Sequence, residues 1–340
     1  MKLATALAIA RGGRLGLLWA VARLFTPFYR LTFAAAAVES GLAARLAAGP
    51  QSLDRLAADL APGDGGRGAL AAWLDLGVGL GELAHGPDGY RLRGALLRRL
   101  ADPASDPVAA LVEEVAGFHH RVILETPARL RARRGWDRHE VDAPLIARSS
   151  RILEPFVLEA IDWALPRRAV ALLEVGCGAG TYLRYATGRN PGLRALGLEL
   201  DPEVAAATRA AVARWGLQDR VRIDNLDVRA LATDERFDVI TLHNVLYYFP
   251  VAERGPLLRA LAARLVPGGR LIVTTSCRGG SPGMRVLDVW MSSTAGFGPL
   301  PTEAELVAYV RDAGLTAIAV KHVIPGEPYL ALRADAPPAT

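Results

Sequence analysis

A chain of 340 residues, 51% of them hydrophobic and 22% charged, has room for two domains and is too apolar for wholesale disorder. The net charge of +5 is carried almost wholly by arginine, with lysine only at Lys2 and Lys321. Acidic residues are spread between the basic ones, which argues against an extended nucleic-acid footprint. Two cysteines, Cys177 and Cys277, are too few for a disulfide framework or a metal cluster and suit a reducing cytoplasm.

In chain order, the segment from Met1 to Phe25 opens like an export signal for ten residues. Arg11, Arg14 and Arg23 then interrupt it, no small-residue cleavage pattern follows, and no apolar run reaches the roughly 18 residues needed to span a bilayer. It is read as a packing helix, with peripheral membrane contact as the alternative. Apolar residues at helical spacing predict helices from Phe33 to Gly49 and from Ser52, a cap residue, to Leu60. A third helix ends near Gly77, and "LGELAHGPDGYRLR" predicts a two-stranded wing turned at Pro87 to Gly89.

Three helices and a wing form a winged-helix pattern, which invites a DNA-binding reading. A recognition helix offers Arg, Lys, Asn or Gln to base edges, whereas Leu70, Ala71, Ala72, Trp73, Leu74 and Leu76 are apolar. Packing or subunit pairing is the better reading. Connecting helices are predicted over 116–165.

Beyond them, strands are predicted at Ala169 to Val175, Leu193 to Glu199, Val221 to Asp224, Asp238 to His243, Arg270 to Thr275, Thr316 to Val323 and Tyr329 to Arg333. Helical segments such as Pro202 to Trp215 and Leu257 to Leu265 lie between them. This alternation predicts an α/β domain with a mostly parallel seven-stranded sheet covered on both faces, whose ligand sits at the carboxyl ends of the strands.

The stretch "LLEVGCGAGTYL", Leu172 to Leu183, is the first such end. A dinucleotide fingerprint wants a third glycine where Thr181 stands, and Glu174 beside a pyrophosphate would meet like charge. A P-loop fails for want of Gly-Lys-Ser/Thr. The turn suits a positively charged cofactor without phosphate, and S-adenosylmethionine, with its ammonium and sulfonium, fits that need. Glu199, 19 residues after Gly180, is placed to grip ribose hydroxyls, and Asp227 to accept from the adenine amino group.

Taken as a set, "LLEVGCGAG", "LGLELDPE", "NLDV", "FDVITLHNVLYYFP" and "LVPGGRLIV" resemble the class I S-adenosylmethionine-dependent methyltransferases, across about 166–335. The resemblance implies a Rossmann-like fold, with Glu174, Gly176, Cys177, Gly178 and Gly180 in the cofactor loop. It further implies Glu199 and Leu200 at the ribose, Asp227 and Val228 at the adenine, and His243 and Asn244 at the methionine end. With the helical first half included, the chain is similar to the dimeric small-molecule O-methyltransferases. There the first half, here 1–115, pairs subunits and closes part of the substrate pocket. Residues 336–340 are a tail.

One departure matters. The histidine that serves those enzymes as base is replaced here by Tyr247, a poor base as a neutral phenol. Three solutions stay open: His243 as base, an imidazole from His119 or His120, or an acceptor acidic enough to arrive ionised. Arg148 or Arg151 is a candidate for an anionic acceptor, and Tyr247 and Trp290 for lining its pocket. The expectation is a cytoplasmic homodimer that methylates a small aromatic or polyketide-like molecule at oxygen, without metal or nucleic acid. C- or N-methylation, a non-methylating relative, or a DNA-binding regulator that senses the cofactor are the alternatives.

Overall fold

The structure is a computed structural model that describes residues 14–63, 65–137, 140, 142–166, 170–232 and 234–339. The signal-like opening up to residue 13, and Ala169 at the start of the first predicted sheet strand, lie outside the described residues. The chain forms two compact units, one of Met1–Arg121 with Val141–Ile152 and the other of Val122–Glu140 with Leu153–Thr340. The predicted connecting segment is thus shared between them.

The first unit contains helices α1 (Arg14–Glu39), α2 (Leu42–Ala47), α3 (Leu53–Leu60) and α4 (Gly66–Gly79). The hairpin β1 (Leu83–Gly86) and β2 (Gly89–Leu92) follows, then α5 (Ala95–Leu100) and α6 (Asp106–Glu114). A π-helical turn, Val115–His119, leads into α7 (His120–Arg131), within which the division between the units falls; α8 (Ala143–Ser149) belongs to the first unit. Phe33, Leu42, Leu56, Leu74, Leu83 and Leu97 share one core. Ser52 caps α3 as its sequence position predicts, accepting from the Arg55 N–H at 3.3 Å.

The predicted stop near Gly77 falls two residues short of the observed end at Gly79, and Gly77 itself has a packing role. A Cβ on Gly77 would run into the Phe33 ring, so this glycine admits a neighbour rather than ending the helix. The wing pairs Leu83 with Leu92 through to Gly86 with Gly89. It is pinned by the buried Glu82, whose carboxylate meets Arg30 and accepts from the Leu97 N–H at 3.0 Å. Helix α4, the third of the winged pattern, turns Leu70 and Leu74 into the core. Residues 16–29 of α1, by contrast, are exposed on every side of the helix.

The second unit is built on seven strands: β3 (Ala171–Val175), β4 (Arg194–Glu199), β5 (Val221–Asn225), β6 (Phe237–His243), β7 (Leu265–Ser276), β8 (Thr316–His322) and β9 (Tyr329–Asp335). Their order is β5-β4-β3-β6-β7-β9-β8, parallel through β7, with β9 antiparallel to both β7 and β8. Alternate residues serve opposite faces. Leu172, Val239 and Ile272 pack on α9 (Glu154–Ala164), α10 (Thr181–Arg189) and α11 (Pro202–Arg214). Leu173, Ile240 and Val273 pack on α12 (Val251–Ala262) and α14 (Glu303–Asp312), with α13 (Pro282–Ser293) between these helices in sequence.

β7 begins five residues before its predicted start. Leu265 pairs with Phe237 ahead of a bulge, and Gly269 sits where a Cβ would stand 2.8 Å from the Val266 carbonyl oxygen. From β3 the chain adds strands in one direction, then crosses back to β6. The crevice at this reversal, beyond the carboxyl ends of β3 and β6, is where such sheets bind ligands.

Candidate cofactor and acceptor site

β3 delivers Glu174 and Val175 to the reversal point, and the chain then turns through Gly176, Gly178 and Gly180 with φ of 68°, 48° and 73°. Glycine adopts this left-handed region with the least strain. A Cβ on Gly176 would come within 2.7 Å of Val245, whereas nothing lies within 4 Å of one on Gly178. The loop is therefore packed at its first glycine and bare at its second.

The Gly178 peptide is gripped from both sides. Its N–H donates to Glu199 Oε2 at 2.9 Å, and its carbonyl accepts from Thr208 Oγ1, on α11, at 2.6 Å. Glu199, the last residue of β4, also accepts from the Asp201 N–H at 3.0 Å. Two carboxylate oxygens offer about four acceptor positions, so about two remain for the hydroxyls of a ligand. Leu200 beside it is exposed.

Asp227 follows β5, and its two oxygens accept from the Arg229 backbone N–H at 2.9 Å and from the Arg229 guanidinium, the shortest contact being 2.6 Å. That guanidinium holds the Asp227 carboxyl below its ordinary range. Arg229 reaches on to Glu253 at 3.0 Å. The predicted adenine acceptor thus shares its charge with a cation that sequence reasoning did not name. Val228 starts a short 3-10 turn and packs partly buried on the apolar layer.

Glu174 is only 2% exposed, and its Oε1 has no hydrogen-bond partner among the described residues. Burial pushes its carboxyl well above the usual carboxylate range. Asn244, just past β6, holds a left-handed φ of 57°, donates its N–H to the Thr274 carbonyl at 2.8 Å, and carries a second buried acceptor without a partner, Oδ1. Orphaned buried acceptors are costly unless a donor meets them. Both stand at the ends of adjacent strands beside the bare glycine loop. An ammonium-bearing nucleoside such as S-adenosylmethionine supplies what they lack, so the residues present fit that cofactor.

His243 is buried, with Nδ1 2.9 Å from Thr274 Oγ1 and its ring edge-on to Tyr182 at 5.0 Å. Burial pushes its pKa down to about 3, which keeps the ring neutral and makes it a weak base. Tyr247 is equally enclosed. Burial raises its hydroxyl pKa, its ring tilts against Tyr248 at 4.9 Å, and its carbonyl accepts from the Gly298 N–H at 3.3 Å. Cys177 lies buried in the glycine loop, where burial also raises its thiol pKa.

The candidates from the helical half are otherwise engaged. His119 Nε2 lies 3.1 Å from Glu114 Oε1, and the His120 ring packs on Phe28 at 5.7 Å. Arg148, taken as a candidate for an anionic acceptor, already has its charge matched by Asp106 at 2.7 Å and Glu113 at 3.3 Å. Trp290 is buried on α13. Among the described residues no three His, Cys, Asp or Glu side chains group as a metal site. Sequence reasoning missed Tyr182, Thr208 and Thr241. The strand period carried the signal for Thr241, which shares a sheet face with His243 and pairs with Glu174.

A family model described as a methyltransferase domain matches residues 173–271. The ubiquinone biosynthesis O-methyltransferase of Xylella fastidiosa is 30% identical over 187 residues, which span 53% of this chain and 72% of that protein. The demethylspheroidene O-methyltransferase of Rhodobacter capsulatus is 30% identical over 200 residues, 58% of this chain but only 46% of that protein's length. Among solved structures, mitomycin 7-O-methyltransferase superposes with a TM-score of 0.78 at 21% identity, over 96% of this chain and 100% of that one. The chain belongs to the class I S-adenosylmethionine-dependent methyltransferases, and S-adenosylmethionine is its cofactor.

The double grip on Gly178 gives a first expectation. Thr208→Val keeps the shape and removes the donor, so about 1 kcal/mol of loop order is lost and the Kd for S-adenosylmethionine rises about fivefold by calorimetry. Thr208→Ser restores it. Equal weakening by both variants would mean that the methyl group, and not the hydroxyl, supports the loop.

Proposed function

We propose that this protein transfers a methyl group from S-adenosylmethionine to a hydroxyl oxygen of a small aromatic or polyketide-like molecule. The observation that carries the reading is the bare, left-handed glycine loop beside the orphaned carboxylate of Glu174. The three relatives named above are all O-methyltransferases, which supports oxygen as the acceptor atom. When bound, the cofactor supplies a methyl group already activated by its sulfonium, so alignment of donor and acceptor provides much of the acceleration. Glu174 and Asn244 hold the amino-acid end, Glu199 and Leu200 the ribose, and Asp227 with Val228 the adenine. The test is incubation with methyl-labelled cofactor and a panel of phenols and aromatic polyketides, read by mass. Cofactor binding with label reaching nitrogen or carbon instead would overturn the choice of oxygen.

For the acceptor proton, the reading is an acceptor that ionises by itself, with His243 and Tyr247 shaping the methionine end and the acceptor side. Both side chains are buried, and neither is a competent base near neutral pH. Rates are then expected to rise with pH through the acceptor's own pKa and to move with it along a phenol series. Tyr247→Phe and His243→Ala should lower kcat several-fold and leave the profile in place. A profile abolished in either variant would assign the proton to that residue.

The partner is a second copy of the chain, and the compartment the cytoplasm, which the two free, buried cysteines suit. Support for pairing comes from α1, where Leu17, Leu18, Trp19 and Leu24 are each more than half exposed on a helix that is apolar all round. No helix among the described residues is long and apolar enough to cross a membrane. A dimer mass by light scattering is expected, and Trp19→Asp with Leu24→Asp should give a monomer. A monomeric unsubstituted chain would sink the pairing.

A further inference from the structure

On the α9 and α10 side of the sheet, behind the glycine loop, lies a small cavity of about 10 Å³. That is roughly the space of a single water. Its polar lining is Glu174, Tyr182, Thr241 and His243, set among aliphatic side chains. Glu174 and Thr241 are register partners on adjacent parallel strands, so both side chains enter the cavity from the same sheet face. Glu174 Oε1 and Thr241 Oγ1 are both buried, and neither has a hydrogen-bond partner among the described residues.

The groups facing that carboxylate are few. Tyr182 enters from α10, His243 from β6 with its Nδ1 committed to Thr274, and Cys177 from the loop, with Glu199 beyond it. α9 contributes Ile161 to the lining, with Leu165 just after it, β4 sets Gly197 beside Glu174, and β7 contributes Ile272; around Tyr182 stand Tyr329 of β9 and Glu154 of α9. None of these is a cation at neutral pH. A carboxylate enclosed in this way is costly as an anion and tolerable as an acid, which can both donate and accept.

We propose that this cavity takes one water molecule, which bridges Glu174 and Thr241 and keeps Glu174 as the neutral acid until the cofactor's ammonium arrives and its proton leaves to solvent. The proposal rests on the S-adenosylmethionine reading of the glycine loop. The step is a simple dissociation, in which the carboxylic acid becomes a carboxylate that pairs with the ammonium, and one proton enters the buffer. The upward push of burial on the Glu174 carboxyl is in the same sense. Affinity for an ammonium-bearing ligand then climbs as pH rises toward the raised carboxyl value and levels above it.

Calorimetry between pH 6 and 8, in pairs of buffers with different ionisation enthalpies, tests this with two ligands. S-adenosylhomocysteine carries the ammonium, and 5′-methylthioadenosine lacks it. The expected result is release of close to one proton with the first and none with the second, with affinity rising up to tenfold per pH unit for the first only. Glu174→Gln should bind S-adenosylhomocysteine more weakly and without proton release. Thr241→Val should move the pH at which release sets in, and Thr241→Ser should return it. Binding of S-adenosylhomocysteine with no proton released, equal release with both ligands, or an unmoved onset in Thr241→Val would overturn the proposal and leave the cofactor assignment standing. Failure of both ligands to bind at any pH would overturn the two together.

Discussion

Replacing Glu174 with glutamine is expected to make the cofactor-free protein more stable at neutral pH while weakening S-adenosylmethionine binding about 30-fold, or about 2 kcal/mol. The opposite signs have one origin. Glu174 is fully enclosed, and burial raises its carboxyl above the 4.5 of an ordinary glutamate. In the unfolded chain the group ionises near that ordinary value, whereas in the folded chain it holds its proton to higher pH. The folded state therefore binds more protons in the window between the two, and its stability falls as pH rises there, by up to about 1.4 kcal/mol per unit. Below the window the contribution is fully present. Glutamine removes this dependence, so thermal melts of the two proteins should agree near pH 4 and diverge toward pH 8, with the variant the higher. Saturating cofactor should reverse the order, since only the carboxylate pairs with an ammonium. Equal pH slopes in the two cofactor-free proteins would show that the carboxyl titrates normally.

Glu199→Ala should produce a comparable loss of binding by a different route. Its carboxylate fixes the N–H groups of Gly178 and Asp201 before any ligand is present. Hydrogen bonds to a charged acceptor contribute about 1.5–3 kcal/mol each, so the variant loses loop order along with the ribose contact. About 100-fold weaker binding is expected, together with a lower melting temperature. Glu199→Gln, which still accepts, should fall between. Calorimetry and melts on the same samples separate the two effects. A binding loss with no change in melting would place Glu199 purely at the ligand, and no binding loss would remove it from the site.

The strands of the catalytic unit were legible in the sequence because each is a short apolar run with turn residues behind it, and the carboxylates Glu174, Glu199 and Asp227 stand at their ends. The edges that slipped did so for tertiary reasons. Gly77 signalled the nearby helix end at Gly79 but not its own packing against Phe33, and β7 starts early because a bulge lets Leu265 find Phe237. Arg148 and His119 looked available because residue type was the only guide. Arg148 meets Asp106 and Glu113 through the packing of separate helices, and His119 meets Glu114 five residues back across the π-helical turn. Arg229 escaped notice for the same reason, since its partner Glu253 lies on a helix beyond another strand. Thr241 was within reach, as its face follows from counting by twos from His243.

The left-handed backbone at Asn244 sets a rule for anyone redesigning the turn after β6. Of the twenty amino acids, glycine, aspartate and asparagine tolerate that conformation best, and branched side chains tolerate it worst. Saturation libraries at this position should therefore return few folded clones. Tyr248 and Phe297, whose rings meet edge to face 5.1 Å apart, stand on ordinary backbone and carry no such restriction.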